Sequence, residues 1–566
     1  MIRIFQELSS YAMLYGPWFI YMFCVPRMLH MMQLEGYKFR DYIRWLGKNL
    51  GTAFKPGLIQ LAFVGGYSLF LVILNMILMK IAPHALVYEV FFAEYMSLFT
   101  IFLTVNIKQI VNDKKARKTA KKKLVYTARA KRLMFWNFIL LLLVFISYMP
   151  MGSATINSEV PGSVFLYLIV LVEFFSLMIT LLPLNMSIAN FLASPTETVV
   201  QDSYKSKARI KLKNKKYKHI IRIGVTGSYG KTSTKHILKT ILSEKFNVYA
   251  TPESYNTAMG NTISIQKDLQ PEHEVFISEM GARYKGDIRE ICDFVMPQYA
   301  LITSIGPQHL ETFGTIEKIA KTKAELINAL PHDGVVFLPR DNEWCQQLYN
   351  AETREKYCYT LKNSNADVYA RDIVLDEKGC SFTAHTPIGT IKCVTKLLGE
   401  HNVINILGCI SIAVKLGLTK EEIESGVSKI EPIPHRLQIL DSGNGTVVID
   451  DAFNSNPVGA KMALDVLSKF KGRKIVITPG MVELGVQEEK ENRQFGKNMA
   501  RVADIAILVG MKRSKPIVEG LRVGGFNDMN IHVVPNLDEA TKKLAELTKK
   551  GDVILFENDL PDNYNE

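Results

Sequence analysis

The sequence predicts an α/β protein in three parts: a helical membrane domain, an α/β lobe built around a P-loop, and a second, Rossmann-like lobe. Apolar stretches dominate the first part of the chain. A glycine-rich turn at 224–233 then separates an apolar run from an amphipathic helical pattern, the order of a phosphate-binding α/β unit. Further apolar runs alternate with helical patterns, which is typical of parallel sheets. The expected parts are a membrane domain at 1–200, a basic linker at 201–216, and lobes at 217–438 and 439–566.

Five apolar stretches are each long enough to cross a membrane as a helix. They cover 11–29, 57–81, 85–107, 133–152 and 163–192. A secretory signal peptide would be one short run, so five runs indicate a resident membrane domain. Lysine and arginine concentrate at 38–55, 108–132 and 205–218, whereas the connections near 82–84 and 153–162 contain neither. Because basic loops stay in the cytosol, we expect a multi-pass protein of the cell membrane, with its N-terminus outside and Lys205 onward in the cytoplasm.

The charge distribution bears on the partners of the protein. Segment 108–132 holds eleven Lys and Arg residues against Asp113 alone, and segment 205–218 holds eight with no acid, while the whole chain carries +13. The remainder is therefore acidic, which argues against nucleic-acid binding and favours contact of the basic segments with anionic lipid headgroups of the bilayer. The seven cysteines form no C-x-x-C pair, a pattern that argues against a zinc ribbon and suits a reducing cytosol.

The glycine-rich turn predicts a nucleotide site. The run 220–225 reads as a buried strand and 232–242 as a helix. A turn of this kind points backbone N–H groups and the positive end of the helix at a phosphate, and Lys231 and Thr232 would add a charge and a Mg²⁺ ligand. The common P-loop glycine is replaced by Val225, which leaves TGxxGKT. The candidate ATP-binding residues are Thr226, Gly227, Ser228, Tyr229, Gly230, Lys231, Thr232 and Ser233.

Six further motifs follow the P-loop in order. They are SEMGA at 278–282, GPQHLETFG at 306–314, AKTKAE at 320–325, GEHNVIN at 399–405, HRL at 435–437 and DDAFNSNP at 450–457. The ordered set resembles the Mur ligase family, the ATP-dependent amide-bond ligases of cell-wall peptide assembly. Within the family it is most similar to members that add D-alanyl-D-alanine to a UDP-linked muramoyl tripeptide. The resemblance covers about 217–556.

The resemblance implies two Mg²⁺ ions beside ATP. Glu279 follows a predicted strand, at the rim where α/β sheets bind ligands, and the family uses this carboxylate and His309 as metal ligands. Lys323 corresponds to the lysine that the family carries as a carbamate formed from CO₂; a bare ammonium would be repelled by the metal ions. Lys231, Lys323, His309 and Glu279 are thus the candidate catalytic residues. The alternatives are a solvated rim carboxylate, a capped loop histidine and a surface lysine.

The remaining matches imply contacts with the nucleotide and the acceptor. Asn402 and Asn405 resemble the family's adenine-side residues, against an alternative in which Asn402 caps its helix. Arg436 and Asp451 flank the boundary between the lobes and would reach ATP when the lobes close. The stretch 254–260 is similar to the loop that contacts the acceptor.

The implied reaction transfers the γ-phosphoryl group to an acceptor carboxylate, after which the amine of an amino acid or short peptide attacks the acyl phosphate. Two departures change the expected substrates. Apolar stretches replace the soluble domain that holds the UDP end of the acceptor, which favours a lipid-linked acceptor over a nucleotide-linked one. Glu557, Asn558, Asp559 and Leu560 replace the family's KGSR ending, so D-alanyl-D-alanine is not assured as donor.

Glu94 and Glu173 lie inside apolar stretches, where ionisable groups are commonly functional. They would either line a groove for a lipid-linked headgroup or pair between helices. Three other functions stay open: a polyglutamate-type ligase, an ATP-driven gate of a membrane transporter, and a degenerate binding scaffold.

Overall fold

A computed structural model describes residues 2–81, 87–120, 122–156, 163–252, 255–362, 364–441, 445–453 and 455–559. The described chain separates into two compact units, one ending at Val200 and one beginning at Gln201. Ser254 and Asn454, which belong to two of the motifs, lie outside the described residues, as do the connections 82–86 and 157–162.

Long helices build the first unit. They are α1 (Ile2–Leu34), α2 (Phe39–Lys48), α3 (Leu50–Ile81), α4 (Val87–Thr119), α5 (Ala128–Ile156), α6 (Ser163–Thr180) and α7 (Leu182–Lys213). Its core buries aromatic side chains such as Tyr21, Phe102 and Phe175 completely. Helix α7 continues past Val200, so the predicted basic linker is helical for most of its length.

Fewer helices qualify as membrane spans than the sequence predicted. Among the described residues, Leu50–Leu78 and Ala128–Ser147 are long and apolar enough to cross a membrane. The pair Tyr167–Thr180 and Leu182–Lys213, bent by 69°, would make a third span if it counts as one. The predicted stretches 57–81, 133–152 and 163–192 fall in these helices. Stretch 11–29 falls in α1 and the described part of 85–107 falls in α4, and neither helix is among the candidates.

Neutral side chains meet the two acids of the apolar stretches. Ser68 Oγ donates to Glu173 Oε1 at 2.5 Å, and Asn75 Nδ2 donates to Glu94 Oε2 at 2.6 Å. These contacts join α3 to α6 and α3 to α4. Both acids therefore make the interhelical pairs that the sequence left as one alternative.

The first lobe of the second unit contains a nine-stranded sheet in the order β2-β3-β1-β4-β5-β6-β7-β8-β9. Strands β1 to β7 pair in parallel, and β7 to β9 form an antiparallel meander. The sequence of 367–397 predicts meandering strands of this kind. The strands are β1 (Ile221–Thr226), β2 (Val248–Ala250), β3 (Val275–Glu279), β4 (Tyr299–Ile302), β5 (Val335–Pro339), β6 (Lys356–Thr360), β7 (Val368–Asp376), β8 (Gly379–Thr386) and β9 (Gly389–Thr395).

Helices cover this sheet and bury its apolar strands. They are α8 (Lys231–Leu242), α9 (Ala258–Lys267), α10 (Asp287–Val295), α11 (Leu310–Phe313), α12 (Ile316–Asn328), α13 (Glu343–Ala351), α14 (Glu400–Lys415) and α15 (Lys420–Ser428). Because β3, β1 and β4 are parallel neighbours, Glu279, the P-loop and the loop after Ile302 emerge at one edge. This is the edge at which open α/β sheets bind ligands.

The second lobe is a six-stranded sheet in the order β10-β11-β15-β12-β13-β14. All its pairs except β10–β11 are parallel. Its elements are β10 (Gln438–Asp441), β11 (Val447–Asp451), α16 (Pro457–Ser468), β12 (Lys474–Thr478), α17 (Glu488–Met499), β13 (Ile505–Val509), α18 (Lys515–Val523), β14 (Ile531–Val534), α19 (Leu537–Leu547) and β15 (Val553–Glu557). The predicted α/β fold class is confirmed by this architecture.

Candidate active site

The P-loop makes a tight turn between β1 and α8. Gly227 has a φ of +152°, and a Cβ there would lie 2.0 Å from Thr303 Oγ1. Gly230 adopts the left-handed conformation just before α8 begins at Lys231, so a side chain is excluded at one position and strained at the other. The turn is held from outside, because Ser228 Oγ contacts the Gly306 backbone and Tyr229 Oη donates to the Pro307 carbonyl at 2.9 Å.

Lys231 lies over the carbonyls of its own loop. Its Nζ donates to the Gly227 carbonyl at 2.8 Å and to that of Ser228 at 3.4 Å. Burial, together with the charge of Arg436, lowers the pKa of Lys231 to about 8, although the charge of Glu279 opposes the shift. The ammonium is thus held at the mouth of the phosphate-binding turn.

Glu279 is fully buried at the end of β3. Its Oε1 accepts hydrogen bonds from Thr232 Oγ1 at 3.0 Å and Asn256 Nδ2 at 3.1 Å. Its Oε2 accepts no hydrogen bond from the described residues but faces Lys235 Nζ at 3.1 Å. Asn256 belongs to the stretch that resembles the acceptor-contacting loop, so the carboxylate joins that loop to the P-loop helix.

Thr232 and Glu279 fit a Mg²⁺ ion bound together with phosphate oxygens. Mg²⁺ takes oxygen ligands and commonly uses one or two carboxylates plus the substrate phosphates, and Glu279 Oε2 is a buried oxygen that accepts no hydrogen bond from the described residues beside its ion pair with Lys235. No group of three or more His, Cys, Asp or Glu side chains gathers within reach of one ion among those residues. Any metal here would therefore depend on the nucleotide for much of its coordination.

Lys323 is buried, with 1% of its side chain exposed, on the inner face of α12. The surface-lysine alternative is therefore wrong. Burial, and then the charge of Lys231, hold the pKa of Lys323 well below its usual value, although Asp287 and Glu325 oppose the shift. This direction of shift favours the neutral amine, the form that can add to CO₂.

His309 bonds to the second lobe. Its Nδ1 lies 2.5 Å from Glu483 Oε2, and Arg283 Nη2 lies 3.0 Å from Glu483 Oε1. Burial lowers the pKa of His309, although the hydrogen bond that it donates to the Glu483 carboxylate opposes that shift.

The two asparagines of α14 occupy different positions. Asn402 Nδ2 donates to the Leu398 carbonyl at 2.9 Å, which ties it to the start of its own helix. Asn405 lies against the P-loop: a Cβ on Gly230 would be 2.9 Å from its Oδ1. Of the two asparagines, Asn405 is therefore the one that lies beside the phosphate-binding turn.

Arg436 and Asp451 lie near each other at the lobe boundary, where their charges interact. Burial lowers the pKa of Arg436, whereas the charges of Asp451 and Glu279 raise it. Arg436 also stacks on the Phe453 ring at 4.2 Å. Burial raises the pKa of Asp451 to about 6, and its Oδ1 accepts the Leu437 N–H at 3.2 Å.

Sequence reasoning missed three residues of this region: Lys235, Arg283 and Glu483. Lys235 had a usable signal, because it stands one helical turn after Lys231 and therefore on the same face. Arg283 had none, since its contact with Glu483 joins residues 200 positions apart. Glu483 stands in the run MVELG at 481–485, which resembles a further motif of the family, but that run did not indicate the contact.

Two family models match the second unit. Residues 225–413 match the Mur ligase middle domain, and residues 435–557 match the Mur ligase, glutamate ligase domain. UDP-N-acetylmuramoyl-tripeptide--D-alanyl-D-alanine ligase of Bacillus subtilis is 30% identical over 59% of this chain and 72% of its own length. The Escherichia coli enzyme of that name is 28% identical over 53% of this chain and 67% of its own length.

Solved structures share the fold. MurF from Acinetobacter baumannii has a TM-score of 0.58 and 24% identity, and the match covers 64% of this chain and 78% of MurF. MurF ligase from Thermotoga maritima in complex with ADP has a TM-score of 0.55 and 25% identity, over 63% and 80% respectively.

Proposed function

The chain belongs to the Mur ligase family of ATP-dependent amide ligases, and from this premise we propose that it is a membrane-anchored ligase that activates a carboxylate of a cell-envelope precursor. The observation that carries the proposal is the cluster at one sheet edge, where Lys231, Thr232 and Glu279 surround the phosphate-binding turn. Relatives named for joining D-alanyl-D-alanine to a UDP-linked muramoyl tripeptide support peptide-bond formation in peptidoglycan precursors.

ATP and Mg²⁺ are the proposed cofactors. The P-loop N–H groups and Lys231 would hold the phosphates, and Thr232 and Glu279 would hold a Mg²⁺ ion, which supplies charge neutralisation for phosphoryl transfer. A similar structure contains ADP. His309 with Lys323 is proposed for a second ion, with Lys323 as a carbamate: its amine is buried and burial holds its pKa well below the usual value, so reaction with CO₂ would convert a cation-forming group into an anion.

The chain's own residues chiefly position and shield the reactants. The γ-phosphoryl group moves to the acceptor carboxylate and ADP leaves; the donor amine then attacks the acyl carbon, loses a proton, and phosphate departs. Lys231 and Arg436 would balance the charge on the transferring oxygens, while Asn405 holds the turn. Contact between the two lobes would exclude water from the acyl phosphate.

The acceptor is proposed to be lipid-linked and the donor an amino acid or short peptide. Two or three span-length apolar helices support membrane attachment, and attachment raises the effective concentration of a lipid-bound acceptor. An odd number of spans would keep the N-terminus outside and the basic segment 205–218 and the ligase lobes in the cytoplasm, beside anionic headgroups.

The test is a product assay on full-length protein in liposomes. The protein would be incubated with ATP, Mg²⁺, candidate amino donors and either lipid-linked or UDP-linked muramoyl peptides. The products would be identified by mass spectrometry. The expected product is the lipid-linked acceptor enlarged by one donor, with ADP formed in equal amount. ATP hydrolysis without any enlarged acceptor would reject the ligase proposal and favour a transport gate.

Repeated addition to its own product would instead identify a polymer-forming ligase. Enlargement of only the UDP-linked acceptor would reject the lipid-linked substrate while retaining the ligase activity. Lys231→Ala serves as the inactive control in every arm.

A further inference from the structure

Two residues with unusual backbone conformations face each other across the lobes. His309 has a φ of +51° and Glu483 a φ of +66°, a region that non-glycine residues seldom occupy and that persists only where the surroundings hold it. Glu483 lies between β12 and α17 of the second lobe, and His309 directly precedes α11 of the first. The two strained turns present their side chains to one another.

Both oxygens of the Glu483 carboxylate are engaged by the first lobe. Oε2 contacts His309 Nδ1 at 2.5 Å and Oε1 contacts Arg283 Nη2 at 3.0 Å. The Glu311 N–H also donates to the Glu483 carbonyl at 3.4 Å. Glu483 and His309 are 14% and 15% exposed, so the pair is largely shielded from water.

The contact fixes the chemistry of the imidazole. A carboxylate only accepts hydrogen bonds, so the proton must reside on His309 Nδ1. Nε2 is then the nitrogen with a lone pair, available to a metal ion or a polar ligand. Carboxylate partners of this kind fix the tautomer and ring orientation of metal-binding histidines.

We propose that Glu483 is a positioning residue for His309, supplied by the second lobe to the nucleotide site of the first. The inference rests on the proposed function, because His309 is assigned to the nucleotide and metal site there. It adds a physical link between the lobes, because the second lobe orients a side chain of the lobe that carries the P-loop. Lobe docking and preparation of the phosphate site thus become one event.

Three variants of the full-length protein test the role. Glu483→Ala removes both contacts, whereas Glu483→Gln keeps an oxygen that can accept from Nδ1 but removes the charge. Glu489→Gln is the matched control, because Glu489 is an exposed acid of the same lobe that pairs with Arg493 within α17. Steady-state turnover and the affinity for a non-hydrolysable ATP analogue, with Mg²⁺ and with EDTA, would be measured for each.

Glu483→Ala should lower kcat by about tenfold to a hundredfold, the usual effect of losing an orienting partner, with a smaller change in KM. It should weaken analogue binding with Mg²⁺ and leave binding in EDTA unchanged. Glu483→Gln should recover part of both losses, and Glu489→Gln should match the unmodified protein.

Equal loss of analogue binding with Mg²⁺ and in EDTA, together with a lower unfolding temperature in both Glu483 variants, would show a docking contact only and overturn the proposal. An unchanged kcat in Glu483→Ala would overturn it as well. If the unmodified protein binds the analogue but makes no ligated product, the proposed function fails, while the Mg²⁺ dependence of binding still tests Glu483.

Discussion

Glu279 in the second unit and Glu94 and Glu173 in the first unit differ in the partners of their carboxyl groups. In the second unit Glu279 faces the ammonium of Lys235 at 3.1 Å, and both side chains are almost completely buried. In the first unit Glu94 and Glu173 accept hydrogen bonds from the neutral side chains of Asn75 and Ser68. A buried ion pair depends on both partners, because removal of one leaves an uncompensated charge. An acid that is held by neutral donors loses little when it is itself made neutral.

The second unit also brings like charges together. Lys231 lowers the pKa of the buried Lys323, and Arg436 lowers that of Lys231. Such an arrangement costs stability and is characteristic of sites that bind an anion. The helical unit shows no comparable group of buried lysines among its described residues. Electrostatics therefore distinguishes the ligand site of the second unit from the helix–helix packing of the first.

The largest effect is expected from breaking the buried pair. Lys235→Met keeps the length of the side chain but leaves the Glu279 carboxylate without its cationic partner, which should cost about 3–5 kcal/mol of stability. Lys239→Met, on the exposed face of α8 one turn further on, is the matched control and should change little. Chemical unfolding of the second unit would measure both. Equal stabilities would show that the pair has no net role.

Loss of Lys323, the buried lysine of α12, should affect activity more than folding. Lys323→Ala is expected to reduce turnover by about 100-fold or more, the scale for losing a group that stabilises the transition state. Lys321→Ala, exposed on the same helix, should remain active. If the carbamate is right, an added small carboxylate such as formate should restore part of the activity of Lys323→Ala. No restoration, together with an unmodified lysine mass in the native protein, would contradict the carbamate.

A smaller, pH-dependent effect is expected at Glu557, which ends β15 and contacts the hydroxyls of Ser455 and Thr478. Burial raises the pKa of Glu557 from 4.5 to about 8. Between these values the folded protein binds more protons than the unfolded chain, so stability falls as the pH rises from 5 to 8. Glu557→Gln should flatten this slope, and the exposed control Glu546→Gln should not. Urea unfolding across that pH range would measure the slopes. A steeper fall of stability in Glu557→Gln than in the unmodified protein would refute the assignment.

The smallest effect is expected in the helical unit. Glu173→Gln preserves an oxygen that can accept from Ser68, so the free energy of unfolding should change by less than about 1 kcal/mol. Turnover on a lipid-linked acceptor should also be unchanged if Glu173 only joins helices. A selective loss of turnover with an unaltered unfolding temperature would instead assign this acid to a headgroup groove.

Much of the second unit followed from local patterns. The run 220–225, the glycine turn and the helix beginning at Lys231 are adjacent in the chain, so their order alone fixed a strand, a phosphate-binding turn and a helix start. The meander at 367–397 was equally local. The number of spans was less predictable, because apolar length does not distinguish a lipid-facing helix from one packed inside a helical unit.

The sequence by itself determined the α/β lobes, the P-loop and which residue types it carries, because each depends on neighbours within a few positions. Only the tertiary structure decided that Lys235 faces Glu279 and that Glu483 holds His309 from 174 residues away. Those contacts depend on how strands line up at a sheet edge and how one lobe docks on another. Chain order leaves these arrangements open, and burial and packing select one of them.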